Sequence, residues 1–200
     1  MLGMDIQAEE LLDGEQVIVT KMANAVIQLS DYGLKRLPYD GLMNRMGFKG
    51  KEAIGGKLHL TNFRLVFKAH PVNRVRGKFS IFLPAITQLR NTSRFLAKKL
   101  ETRTELQIFE FVIWGVDEFI RAVTNRQLEL TTQQKAALQE MVRTKPAQFI
   151  SDTHVRSVIN YVTMNLTEIA GKVARLATNP LDLSAAISVL EIIEMVIKDE

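Results

Sequence analysis

Apolar and polar residues alternate along Lys57-Leu58-His59-Leu60-Thr61-Asn62-Phe63-Arg64-Leu65-Val66-Phe67-Lys68-Ala69. Leu58 and Leu60 precede Thr61-Asn62, and Leu65 and Phe67 follow it. Short polar side chains bond their own backbone, so Thr61-Asn62 favours a turn and the pattern predicts a compact β-hairpin. Residues 16–29 supply Val17, Val19, Val26 and Ile27 after Gly14 as a breaker, which predicts a preceding strand. Between the two, residues 31–56 hold six glycines and Pro38, which predicts a long loop with a short helical turn near residues 40–46.

Residues 79–83 restart a strand that Pro84 ends, residues 86–89 continue the pairing, and residues 95–102 and 106–113 complete the β-region. Ile108, Glu110 and Val112 alternate with Phe109, Phe111 and Ile113, the period of a strand. At Trp114 the period changes. Gly115 breaks the strand, Asp117 is the candidate N-cap, and Phe119, Ile120 and Val123 fall at helical spacing. Thr131 or Thr132 then caps a helix over residues 133–143, which Lys145-Pro146 stops.

Ser151 or Asp152 starts a long amphipathic helix through Val155, Ile159, Val162, Leu166, Ile169, Val173 and Leu176. After Asn179-Pro180, a last helix carries Leu183, Ile187, Leu190, Ile193 and Ile197. Its second row is Ala186, Val189, Ile192 and Val196. Two adjacent rows make a face too broad to stand in water, so this helix buries against the β-region, its neighbours or another chain. The fold class is therefore α+β. Residues 9–127 form an antiparallel β-domain capped by one helix, and residues 128–200 form an extension of about three helices.

Charge changes the picture. The net of +4 is the residue of a strong asymmetry. Residues 1–32 carry one basic and six acidic side chains, whereas residues 33–105 carry 16 basic and four acidic ones. A field concentrated in this way draws anionic partners. There is no cysteine, which excludes a disulfide framework, a thiolate metal site and a cysteine nucleophile, and fits a reducing, cytoplasmic setting. The acidic start lacks the basic and apolar pattern of a signal peptide, and no apolar run approaches the ~20 residues that span a bilayer. Membrane contact is then expected to be peripheral.

The residues Gly56-Lys57-Leu58-His59-Leu60-Thr61-Asn62-Phe63-Arg64-Leu65-Val66-Phe67-Lys68 resemble the signature hairpin of GRAM domains, small modules of the pleckstrin-homology (PH) superfold. Phe79-Ser80-Ile81-Phe82-Leu83-Pro84-Ala85-Ile86 and Phe109-Glu110-Phe111 leading to Asp117-Glu118-Phe119-Ile120 extend the likeness, which covers about residues 10–127. The resemblance implies a PH-like antiparallel β-barrel or sandwich capped by a helix. It also implies an anion site in the loops at one end of the barrel. The chain departs from the family at His59, where an aromatic is usual, and in the length of the insertion over residues 33–55. The helical extension has no counterpart in it.

Two basic sets are the candidate headgroup ligands: Lys35, Arg36, Arg45, Lys49 and Lys51, then Lys68, Arg74, Arg76 and Lys78, with His70 beside the second. Arginine forks onto phosphate and lysine adds point charge. Met43, Met46 and Phe48 in the first loop either enter an interface or pack the insertion down. His59, His70 and His154 match no zinc spacing, and no nucleophile elbow or phosphate loop is present, so no cofactor, metal or catalytic residue is assigned. Sparse aromatics among the basic residues argue against nucleic acid. The expected function is non-enzymatic binding of an anionic phospholipid surface or acidic protein. The alternative is a protein-interaction or homo-oligomerisation module using Leu183, Ile187, Leu190, Ile193 and Ile197.

Overall fold

The structure is a computed structural model that describes residues 4–28, 51–73, 75–76, 78–94, 97–105, 108–144 and 154–155. Seven strands form one antiparallel sheet in the order β5-β3-β2-β1-β8-β7-β6. They are β1 (Val17–Gln28), β2 (Lys51–Thr61), β3 (Arg64–Ala69), β5 (Lys78–Phe82), β6 (Gln88–Asn91), β7 (Lys99–Arg103) and β8 (Ile108–Ile113). The hairpin expected at Thr61-Asn62 is present, with Leu58 facing Phe67 and Leu60 facing Leu65. The Thr61 hydroxyl closes its turn by accepting from the amides of Phe63 (3.1 Å) and Arg64 (2.9 Å).

The loop expected over residues 31–56 does not include residues 51–56. Residues 51–56 belong to β2 and continue the pairing with β1 out to Gln28 and Lys51. Glycine reads as a breaker in sequence, but Gly56 is required inside this strand. A Cβ there would lie 2.2 Å from the Lys68 carbonyl oxygen and 2.8 Å from the Phe67 ring. Close backbone approach, not chain reversal, explains it.

The sheet curls until its two halves face each other. β5 and β8 are four places apart in the sheet, yet the rings of Phe79 and Phe109 stack at 5.6 Å. Phe67 and Phe111 complete the cluster, 6.1 Å apart, and Leu58, Leu60, Leu65, Ile81 and Leu100 close around it. The sheet does not seal into a barrel, because β5 and β6 remain its edges. Helix α1 (Val116–Glu129) fills that gap with Val116, Phe119 and Val123 buried. Its Gln127 side-chain amide donates to the carbonyls of Leu83 and Ile86, which link the two edges.

The start of α1 corrects one expectation. Its N-cap is Gly115, in the left-handed region at φ +69°, and Asp117 instead accepts from Asn91 at 2.8 Å. The chain must turn sharply from β8 into the helix, and only glycine takes that φ without a Cβ penalty. Helix α2 (Thr132–Thr144) follows the sequence closely. Thr131 accepts from the Gln134 amide, and the Gln134 side chain accepts from the Thr131 amide, a reciprocal capping box. Leu138 of α2 packs on Phe82 and Ala85, so the first helix of the extension rests on the sheet.

His154 and Val155, expected at the start of a helix, are extended instead. They form β9 (His154–Val155), paired with β4 (Val75–Arg76), whose ladder groups thereby gain partners. Met43, Met46 and Phe48 and the last helix, with Leu183, Ile187, Leu190, Ile193 and Ile197, lie outside the described residues. Among the described residues, no helix is long and apolar enough to cross a membrane.

Candidate functional site

The antiparallel register places four side chains in one row on the outer face of the sheet. Met22 faces Lys57, Lys57 faces Lys68, and Lys68 faces Lys78. Their neighbours one step along each strand, such as Ala23, Leu58 and Phe67, point into the core, so the row points away from it. Trp114 stands at its apolar end, one residue past Ile113, which faces Ala23.

An acidic strap, residues 4–15, crosses the lysine end. Asp5 pairs with Lys57 at 2.7 Å, and the Asp5 carbonyl accepts from Lys68 at 2.8 Å. Glu10 gives one oxygen to Lys68 at 2.7 Å and the other to Lys78 at 2.8 Å. The acidic first segment of the sequence is therefore folded onto part of its own basic segment. Burial raises the Glu10 pKa, but the Gln7 amide and the two ammonium groups outweigh it and hold the carboxyl at about 2.

The strap is pinned at its far end. Glu15 forms a two-point ion pair with Arg64, at 2.8 and 2.9 Å, with both side chains almost fully buried. Thr61 and the Leu12 amide also donate to Glu15. Arg64 donates on to Ser80 and to the Glu10 carbonyl. His59 lies beneath the strap. Its Nε2 is 2.9 Å from the Met4 carbonyl, and its Nδ1 is 2.9 Å from the Thr20 hydroxyl. A carbonyl only accepts, so Nε2 carries the proton and Nδ1 accepts from Thr20. Burial lowers the His59 pKa against the opposing pull of Met4 and Asp5, which keeps the ring neutral.

These shifts set a pH dependence. A carboxylate whose folded pKa is depressed stabilises the fold above its unfolded value and loses that contribution as pH falls through the folded one. For Glu10 the window runs from 4.5 down to about 2. Neutral His59 adds a loss that begins as pH drops below 6.5. The urea midpoint is expected to fall steadily from pH 7 to pH 3, and Glu10→Gln is expected to flatten the acid part of that curve.

At the apolar end, a groove of about 410 Å³ opens between β1, the end of β8 and the connection at residues 70–73. Gly55 and Gly56 form its floor with Asn24. The connection is tied down over the floor by the His70 amide and the Asn73 side chain, both donating to the Gly55 carbonyl. Its rim is exposed and apolar: Met22 is 62% exposed, Val72 74% and Trp114 75%. Exposed Lys98 shares the rim, and with Trp114 it also borders a second groove of mixed charge, lined by Asp117, Glu118 and Arg121. Trp114 and Lys98 thus stand on a ridge between two concavities.

The predicted ligands scatter. Lys35, Arg36, Arg45, Lys49 and Arg74 lie outside the described residues, and Arg76 sits in β4. Lys51 begins β2 and pairs with Glu110, which Lys99 also approaches at 3.1 Å. Lys68 and Lys78 come together, but on Glu10. His70 lines the groove and accepts from the Val72 amide. Sequence reasoning missed Lys57, Met22 and Trp114. For Lys57 a signal existed, because the tight turn that sets Leu60 against Leu65 also sets Lys57 against Lys68. Nothing local marks Met22 and Trp114 as exposed, since both are apolar residues of a buried-looking region. No cluster able to hold a metal ion occurs among the described residues.

No protein-family profile matches the chain, so the GRAM resemblance rests on the residues quoted for it. No curated protein matches. Solved structures do. The C-terminal domain of an unknown protein from Leishmania infantum is similar at 16% identity over 58% of this chain and 88% of that one, with a TM-score of 0.41. The Vps36 N-terminal PH domain is similar at 14% identity over 58% of this chain and 82% of that one, with a TM-score of 0.38.

Proposed function

We propose that the chain is a non-enzymatic binding module of PH-like fold that docks reversibly on anionic phospholipid surfaces from the cytoplasmic side. The fold reading draws on the seven antiparallel strands followed directly by α1 in the open corner. The observation that carries the docking reading is the rim of the groove, where exposed Trp114, Met22 and Val72 stand beside Lys98. A soluble surface seldom gathers large apolar tips in this way without an interface to put them in. Lys98 is an exposed cation on that rim, beside Trp114. Aromatic and apolar tips that enter the headgroup layer, with cations beside them, are the chemistry of peripheral membrane contact.

The magnitudes suit a weak, reversible association. Full burial of one large apolar side chain is worth about 1.5–3 kcal/mol. Each lysine or arginine near an anionic leaflet adds about 1 kcal/mol. Co-sedimentation with phosphatidylcholine vesicles carrying about 30 mol% phosphatidylserine tests the reading. Wild type is expected to bind, less so as salt rises. Trp114→Ala is expected to weaken binding about tenfold, equivalent to ~1.4 kcal/mol. Equal binding to neutral vesicles, or no effect of Trp114→Ala, would count against it.

A further inference from the structure

The lysine row poses a physical problem that the strap solves. Lys57, Lys68 and Lys78 stand directly opposite one another on adjacent strands, which run only ~4.8 Å apart. Like charges directly opposite destabilise a sheet, so a bare row of three ammonium groups demands counter-charge. The strap brings two carboxylates to three lysines. Glu10 engages them as an oxyanion ligand does, with one oxygen on Lys78 and the other on Lys68 and the Gln7 amide.

The strap also divides into a fixed and a loosely held part. Leu12 packs with Phe82 and Leu138, and Glu15 is buried on Arg64. Residues 5–10 are held mainly by polar contacts, Asp5 and Glu10 on the lysines and the Glu10 carbonyl on Arg64. The Asp5 side chain is 62% exposed, and the single turn Ala8–Glu10 buries none of its residues. Breaking the outer contacts would cost Arg64 its bond to the Glu10 carbonyl but leave the Glu15–Arg64 pair and the Leu12 packing in place.

We infer that the Lys57-Lys68-Lys78 row is a binding site for the phosphate groups of anionic lipid headgroups, which Asp5 and Glu10 close as an internal ligand and which opens when residues 4–10 lift away. The inference rests on the docking reading above, because Met22 of the exposed rim directly faces Lys57 and continues the same row. A tethered carboxylate competes at an effective concentration of order millimolar, so an isolated phosphate displaces it poorly. A membrane offers many headgroups at once and is held close by the neighbouring apolar rim. The site is therefore matched to a surface and not to a dissolved ion.

Two probes separate this inference from the docking reading. The first is phosphatidylcholine vesicles with about 30 mol% phosphatidylserine. The second is inorganic pyrophosphate, followed by amide shifts at residues 57, 68 and 78. Asp5→Asn/Glu10→Gln is expected to bind the vesicles at least tenfold more tightly than wild type, and Lys57→Gln/Lys68→Gln added to it is expected to remove the gain. The same variant is expected to bind pyrophosphate at least fivefold more tightly. Asp5→Asn alone touches an exposed residue and leaves the fold intact; about a threefold gain is expected from it. No gain with either probe overturns the strap inference, even where wild type still binds vesicles through Trp114. A gain with pyrophosphate and none with vesicles overturns the lipid as the ligand. A gain that survives loss of Lys57 and Lys68 overturns the row as the site.

Discussion

Glu15→Ala is expected to lower the unfolding free energy by about 3–5 kcal/mol, because it strands a buried arginine. Arg64 is held at 2.8 and 2.9 Å by the two Glu15 oxygens, and neither side chain has appreciable contact with water. Without Glu15, the guanidinium keeps only Ser80 and the Glu10 carbonyl, neither of which carries charge. Thr61 also loses an acceptor at the hairpin turn. The size of the effect measures the cost of an unpaired charge and not the net worth of the pair. Arg64→Met/Glu15→Leu, which removes both charges and keeps volume, is therefore expected to cost under about 2 kcal/mol. Urea unfolding of the two variants side by side checks this. A single mutant no worse than the double would show that the pair is not buried as described.

Phe111→Ala is expected to cost about 3–5 kcal/mol. Phe111 is fully buried, and its ring lies 6.1 Å from Phe67 and 6.0 Å from Phe79. Those two rings come from β3 and β5, and Phe111 comes from β8 on the other side of β1. The side chain thus ties together the halves of a sheet that does not seal at its edges. A cavity here loses contacts from both halves at once, and the rigid strands around it can collapse little. The loss is read from the urea midpoint at unchanged slope. A cost below about 1.5 kcal/mol would place Phe111 at the margin of the core instead of its centre.

Much of this architecture is legible in sequence, and the failures have physical causes. The hairpin at Thr61-Asn62, the strand over Ile108 to Ile113 and the capped helix after Thr131 all rest on local patterns, and all are present. Residues 51–56 misled because glycine marks close approach as well as turns, and only the Lys68 carbonyl against Gly56 tells the two apart. Asp117 is a good N-cap by composition, but the abrupt turn out of β8 required a positive φ, and Gly115 took the place. Val155 fits a helical period, yet its backbone pairs with Val75, a contact no local window contains.

The candidate site was legible in chemistry and not in place. The excess of positive charge was visible, and so was the acidic first segment. That the second lies across part of the first depends on three strand registers and on a strap that crosses them. Charge patterning along a chain cannot distinguish a surface awaiting an anion from one that already holds its own carboxylates. Trp114 and Met22 were overlooked for the converse reason. Met22 lies inside β1 and Trp114 just past the end of β8; apolar residues in such a strand region are expected inside, and their exposure appears only in the folded sheet.

Trp114 is the single tryptophan of the chain and is 75% exposed, so its fluorescence reports directly on the proposed docking face. Titration with phosphatidylcholine vesicles carrying about 30 mol% phosphatidylserine is the decisive measurement. The emission is expected to shift to the blue and to become shielded from an aqueous quencher, with both changes reversed by high salt. Emission that stays at its aqueous wavelength and remains fully quenchable while the protein co-sediments would place the contact elsewhere. No change and no co-sedimentation would contradict membrane docking altogether.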